Sequence, residues 1–230
     1  MAAADDDAVM TINQLPVFPA EYRMVMQRRT AEVHVHFKQI QNRDDGPGYW
    51  LDEGAGGTPL QKLRELVEEE LVRIKVIQGL AQKHGLLKDA GYDAFLEKLA
   101  GENARRKQAV AAKQVIYGPR QYREAAYFYI MLGDLNHKLQ SIVAKEPGQA
   151  VSDADVTKYY EASKDRVGEK TLADLKPKIV DILQHENYER YLQGLCASAR
   201  VEADAAALAT LVPRIDPQPL PSSGTHNTSR

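Results

Sequence analysis

The strongest constraint on the fold is a run of apolar residues at helical spacing in the second quarter of the chain. Thr58-Pro59 precedes the run and supplies an N-cap and a first-turn proline, while Gly85 follows it where a helix C′ residue belongs. One stripe contains Leu60, Leu63, Val67, Leu71, Ile74, Ile77 and Ala81. The spacing predicts a single helix of about seven turns.

Glycine and proline divide the rest of the chain into further helical windows. We predict helices over residues 19–41, over 92–113 with a break near Gly101, and over 121–144. The glycine-rich residues 42–57 predict a loop with Tyr49-Trp50 as its anchor.

Two capping boxes begin the last two predicted helices. Ser152-x-x-Asp155 predicts a helix ending near residue 164, and Thr171-x-x-Asp174 predicts one reaching about residue 199. Pro177 lies inside the beginning of the latter, so we expect either a bend there or a helix that starts at Pro177 itself.

Only two short runs have β character, at residues 9–12 and 200–202, and their pairing would tie the chain ends together. Without βαβ alternation or a repeat of fixed period, the fold class is mostly α. We predict one helical domain over residues 9–204, followed by a tail over 205–230 that is rich in Ala and then in Pro and Ser. That tail is expected to be disordered from about residue 216.

Composition excludes several classes of protein. The chain of 230 residues has 30 Lys and Arg against 32 Asp and Glu, a formal charge of -2, which argues against a nucleic-acid binder held by phosphate contacts. No apolar window is long enough for a membrane span. The N-terminus lacks signal-peptide features, which leaves a cytoplasmic protein or the mature form of a secreted one. Cys196 is alone, so no intramolecular disulfide or multi-cysteine zinc site can form.

We expect no metal and no cofactor. His34 and His36 fall in a helical window, where they would point about 200° apart and could not share an ion. Glycine patterns that cradle nucleotide phosphates are missing. The acidic run at residues 68–70, with Arg73 and Lys75, is interpreted as a solvated helix face with i,i+3 and i,i+4 ion pairs.

Two segments could carry function. Glu102, Arg105 and Arg106, followed by Tyr117-Gly118-Pro119, could form a buried network between helices or, with His137, the acid-base groups of an enzyme. The second segment crowds large side chains into one helix: Tyr122, Tyr127, Phe128, Tyr129 and Met131. These side chains suit either a core between helices or an apolar, aromatic-lined surface for extended peptides.

Several segments, taken in order, resemble a known family. They are a strand at residues 9–13, Val17 with a helix start at Glu21-Tyr22, the LxxLVEEELVRIKVIQGLAQKHGL helix, Val151-Ser-Asp-Ala-Asp-Val-x-x-Tyr159-Tyr160 and TLADLKPKIVDILQHENYERYLQGLCASARVE. Together they resemble the chaperone module of SurA/PrsA-type foldases. That resemblance implies a multi-helix domain in which a C-terminal helix returns to the N-terminal helices, with a parvulin prolyl isomerase inserted between them.

The insertion is missing here, since only residues 161–170 stand in its place and a parvulin domain needs several times that length. The resemblance therefore implies an ATP-independent chaperone or peptide-binding protein without isomerase activity. Its partner would be an unfolded or extended polypeptide, or one dedicated peptide or protein. The alternative is an enzyme on the same scaffold that modifies a peptide or a small biosynthetic intermediate by acid-base chemistry.

Overall fold

A computed structural model describes residues 7–213 of the protein except residues 45, 55 and 169. The helices in this part of the chain are α1 (Pro19–Gln41), α2 (Pro59–Lys83), α3 (Tyr92–Ala111), α4 (Glu124–Val143), α5 (Asp153–Val167), α6 (Leu172–Ala197) and α7 (Ala205–Ala209). The strands are β1 (Met10–Ile12), β2 (Leu15–Val17) and β3 (Val201–Ala203). The predicted mostly-α class is confirmed, and among the described helices none is both long and apolar enough to cross a membrane.

Helix α2 lies at the centre of the domain and contacts α1, α4 and α6. Every residue of its predicted stripe is buried, because these neighbours cover that face. Thr58 and Gln61 form a reciprocal capping box at its start, and Gly85 adopts a φ of +70° after its end. One core cluster surrounds the first half of α2 with α1 and β1, and a second surrounds its last turns with α4 and α6.

Some predicted boundaries are wrong. Helix α3 runs without a break through Gly101, since a single glycine costs a helix only about 1 kcal/mol. Helix α4 begins at Glu124 rather than near residue 121, because tertiary contacts hold the preceding residues as a loop. Helix α6, in contrast, begins at Leu172 behind the predicted Thr171 capping box and continues through Pro177, which excludes the alternative start at Pro177.

The chain ends pair in the sheet, as predicted. Strand β1 pairs antiparallel with β3. It also pairs with β2, a strand that was not predicted, so the order is β2-β1-β3. Asn13 and Gln14 join β1 to β2 with φ values of 49° and 69°, as a type I′ hairpin turn requires. Asn-Gln is a weak signal for that turn, and Pro16 is tolerated in β2 because that strand lies at the sheet edge.

The Ala-rich start of the predicted tail is structured in its described part. Asp204 caps α7 by accepting hydrogen bonds from the backbone of Ala206 and Ala207. Beyond that helix, Leu211 is 3% exposed and belongs to the core cluster around α1 and α2. The segment predicted to be disordered, residues 216–230, lies outside the described residues.

The loop between α1 and α2 is anchored as predicted. Tyr49 and Trp50 are both buried, and the imidazole of His34 stacks on the Tyr49 ring with centroids 4.7 Å apart. His36 is exposed on the same helix. Within the described residues, no three His, Cys, Asp or Glu side chains are arranged to hold a metal ion.

Candidate functional site on helices α3 and α4

Aromatic rings from α3 and α4 form a continuous cluster, which we call the α3–α4 surface. Phe95 lies at its centre, with ring centroids 5.6 Å from Tyr92, 5.1 Å from Phe128 and 6.2 Å from Tyr127. Tyr127 continues the cluster to Tyr122, 5.4 Å away. Tyr122 and Tyr127 are half-buried, so their rings present apolar area to solvent while the rest of the cluster packs inward.

A small cavity of about 30 Å³ lies behind this surface, between α2, α3, α4 and the loop that joins α2 to α3. Its apolar lining includes Phe95, Phe128 and Met131. Gln78 also lines it, and the side-chain oxygen of Gln78 is buried with no hydrogen-bond partner among the described residues. An orphaned buried carbonyl is costly, and it would accept a hydrogen bond from any donor that entered the cavity.

The five residues predicted to bind peptides therefore divide into three environments. Tyr122 and Tyr127 lie at the surface, and Met131 is half-buried at the cavity. Phe128 is 4% exposed and serves both the core and the cavity wall. Tyr129 does not line the cavity: its ring packs edge-on against Phe128 with centroids 5.5 Å apart, and its hydroxyl donates a hydrogen bond of 2.5 Å to Glu70 on α2.

The predicted polar cluster is centred on Arg106, which is 6% exposed. Its guanidinium donates to the carboxylate of Glu102 at 2.7 Å, to the carbonyls of Tyr117 and Pro119 at 2.9 and 2.7 Å, and to the Tyr122 hydroxyl at 3.0 Å. It also lies over the Tyr122 ring, 4.3 Å from the centroid. Arg106 therefore holds the loop after α3 against that helix. Of the two interpretations of this cluster, a structural network or the acid-base groups of an enzyme, these contacts favour the structural one.

Glu102 is held as an anion. Arg105 donates two hydrogen bonds of 2.7 Å to its carboxylate, and with Arg106 these contacts lower the pKa of Glu102 to about 2. The phenol of Tyr117 is 87% exposed, and His137 is exposed on α4. Only Glu102, Arg105 and Arg106 of the five acid-base candidates contact one another through their side chains.

Glu70 contradicts the prediction of a solvated acidic face. It is 8% exposed and accepts hydrogen bonds from Arg29 on α1 and Tyr129 on α4, while Arg28 lies 3.5 Å away. Burial and the hydrogen bond to the Glu70 carboxylate raise the pKa of the Tyr129 phenol, although the charges of Arg28 and Arg29 oppose this rise. A signal was present in the sequence, because Glu70 follows Val67 by three residues and so falls on the apolar stripe.

Arg73 and Lys75 are likewise not part of a solvated face with local pairs. Arg73 on α2 donates to both carboxylate oxygens of Glu189 on α6, each at 2.8 Å. Lys75 donates at 2.8 Å to Glu21 in the first turn of α1, and each side chain of this pair is only 1% exposed. Burial raises the pKa of Glu21 despite the neighbouring ammonium. Both ion pairs join helices far apart in sequence, which local spacing cannot indicate.

A second, larger cavity of about 390 Å³ opens between the β1–β2 turn, α2 and α6. Its walls combine Leu15, Val76 and Tyr191 with polar Asn13 and Gln82. Sequence patterns could not indicate this cavity, because its walls come from three distant segments of the chain.

Comparison with protein-family models, with curated proteins and with solved structures gives no match to this chain.

Proposed function

We propose that this protein is an ATP-independent, chaperone-like or peptide-binding protein that holds extended polypeptide segments at the α3–α4 surface, without prolyl isomerase activity. The observation that carries the proposal is the cavity lined by Phe95, Phe128 and Met131 behind two half-exposed tyrosines. Rigid aromatic side chains supply contact area at a low cost in conformational entropy, as binding to varied peptides requires.

The chain topology agrees with what the resemblance to SurA/PrsA-type chaperones implies. Helix α6 returns to pack on α2, and β3 pairs with β1, so the last part of the domain closes on the first. Helix α5 ends at Val167 and α6 begins at Leu172. This short connection stands where the two-domain members of the family carry their isomerase, which is why isomerase activity is not part of the proposal.

Binding would need no chemical step. A client's aromatic side chain would enter the α3–α4 cavity, where a Tyr hydroxyl or a Trp indole N–H can donate a hydrogen bond to the Gln78 carbonyl. Tyr122 and Tyr127 would cover the adjoining backbone. Because the cavity is small as it stands, Met131 has to change its rotamer and then pack against the entering side chain, which its flexible thioether does at low cost.

The enzyme alternative finds little support in the polar cluster. A general acid or base is most effective with a pKa near the working pH, whereas Glu102 has a pKa of about 2 and is neutralised by two guanidinium groups. Arg106 uses its donors to hold a loop. We therefore assign these residues to structure and not to catalysis.

Peptide binding can be measured by fluorescence anisotropy with labelled, unstructured peptides rich in aromatic residues. We expect the Tyr127→Ala/Met131→Ala double variant to weaken binding by about tenfold or more, because it removes one surface ring and one cavity wall. The matched control is Ile130→Ala on the same helix, since Ile130 is 51% exposed and does not line the cavity. It should bind like the parent protein.

An aggregation assay with an unfolded client tests the chaperone activity itself. Suppression by the parent and the Ile130→Ala control, but not by the double variant, would support the proposal. No peptide binding and no suppression by the parent protein at several-fold molar excess would refute it, provided that its unfolding curve shows a folded domain.

A further inference from the structure

The segment from the middle of α3 to the start of α4 has an unusual charge. Residues 103–123 contain six basic side chains and no Asp or Glu, in a chain whose net charge is -2. The six are Arg105, Arg106, Lys107, Lys113, Arg120 and Arg123. Arg105 and the buried Arg106 are paired with Glu102, so the positive surface that the overall charge conceals comes from the exposed Lys107, Lys113, Arg120 and Arg123.

The loop part of this segment, residues 112–123, is held in place; we call it the basic arm. Arg106 binds the carbonyls of Tyr117 and Pro119 in its middle. At its end, the Asn103 side chain donates to the Tyr122 carbonyl at 3.0 Å and accepts from the Tyr122 backbone at 2.8 Å. Gly118 has a φ of +82°, which an L side chain would strain, and a Cβ there would lie 3.2 Å from the Tyr122 hydroxyl.

This anchoring leaves two large apolar side chains in solvent. Val115 is 82% exposed and Tyr117 is 87% exposed, although the backbone beside them is fixed by a buried arginine. Tyrosine and arginine are enriched in binding hot spots, and an anchored backbone leaves less conformational entropy to be lost when a partner covers Tyr117. The arm contains Tyr122, whose ring lies 5.4 Å from that of Tyr127, so it extends the α3–α4 surface outward.

We propose that the basic arm is a docking surface for acidic polypeptide segments in which Asp or Glu residues alternate with aliphatic or aromatic ones. The charge of the arm selects the carboxylates, and Tyr117 and Val115 supply the apolar contacts. This inference rests on the proposed function and names the chemistry of the client that the same surface would prefer.

A polypeptide suits the arm better than a bilayer or a nucleic acid. The exposed basic residues that precede the arm on α3, Arg105 and Lys107, are two residues apart, so their side chains point about 200° apart and cannot face one flat membrane plane together. Phosphate contacts would leave the apolar Val115 without a partner, whereas a peptide offers carboxylates and apolar side chains on one chain.

Three labelled peptides of equal length and equal aromatic content can test this preference, with Glu, Ser or Lys between the aromatic residues. We expect the Glu peptide to bind about tenfold or more tightly than the Ser peptide, and the Lys peptide to bind most weakly. Added salt should remove most of this difference, because exposed charges are screened. Equal binding of all three peptides would overturn the acidic preference but leave the proposed function intact. Binding of none would refute both.

Charge reversal in the arm gives the matched variants. The Lys113→Glu/Arg120→Glu variant should abolish the preference for the Glu peptide. The Tyr117→Ala variant should lower the affinity for all three peptides. The control is Lys158→Glu/Lys178→Glu, which makes the same charge change at exposed positions on α5 and α6. If the control loses as much affinity as the arm variant, the preference belongs to overall charge and the inference fails.

Tighter binding to phosphatidylglycerol vesicles or to a single-stranded oligonucleotide than to the Glu peptide would also overturn the proposal of an acidic polypeptide partner.

Discussion

Individual side chains on α2 show how charge is used inside this protein. Glu70 and Lys75 are both buried, yet each is paired with a partner on another helix, Glu70 with Arg29 and Lys75 with Glu21. One oxygen of Glu21 has no hydrogen-bond partner among the described residues, and it lies near the positive end of the α1 dipole. A buried pair of this kind is costly to break, although an apolar replacement of both partners is often tolerated.

Removal of one partner should therefore destabilise the protein strongly. We expect Lys75→Met to lower the free energy of unfolding by about 3–5 kcal/mol, because it leaves the Glu21 carboxylate buried and unpaired. The Glu21→Leu/Lys75→Met double variant should recover most of that loss. Urea unfolding at neutral pH measures both. A double variant that is less stable than Lys75→Met alone would contradict this account of the pair.

At the scale of single elements, local signals at the helix ends were reliable. Thr58, Ser152 and Thr171 each accept a hydrogen bond from the third helical residue, and each capping box is reciprocal. The Thr171 box fixes the start of α6 at Leu172, so Pro177 lies inside the first two turns of the helix. There the proline cannot donate to the carbonyl of Ala173, and its ring crowds that group.

Pro177 is exposed, so its replacement removes strain with little loss of packing. We expect Pro177→Ala to raise the free energy of unfolding by up to about 3 kcal/mol and to increase helicity measured by circular dichroism. Thr171→Ala should act in the opposite direction, by about 1 kcal/mol. A Pro177→Ala protein no more stable than the parent would indicate that the first turn of α6 is frayed and that the helix effectively begins at Pro177.

At the scale of the whole molecule, the two ends of the chain complete one core. Strand β1 lies between β2 and β3, and the Asp204 amide donates to the carbonyl of Val9 beyond the paired residues. Arg64 on α2 donates to the carbonyl of Leu208, which fixes the end of α7 against the central helix. Leu211 then fills a site in the core cluster around α1 and α2.

A pair of neighbouring substitutions tests whether the end of the described chain belongs to the core. Leu211→Ala should lower the free energy of unfolding by about 2–3 kcal/mol, because it opens a cavity in that cluster. Val212→Ala should change it by less than about 0.5 kcal/mol, since Val212 is 45% exposed. Thermal or urea unfolding measures the difference. Equal, small effects of the two substitutions would mean that residues after α7 do not contribute to the cooperative unit.

The sequence by itself determined what depends on neighbours along the chain: the long helices, the capping boxes, the Tyr49-Trp50 anchor and the crowding of aromatics before and within α4. Tertiary structure decided which of those aromatics lie at a surface, that α4 begins only after a loop held by Asn103 and Arg106, and that β2 joins the sheet. It also decided that Glu70, Arg73 and Lys75 are partners of other helices. The physical reason is the separation along the chain over which each interaction acts. Capping and periodicity act within about four residues, whereas burial, ion pairing and cavity shape depend on segments that only the folded chain brings together.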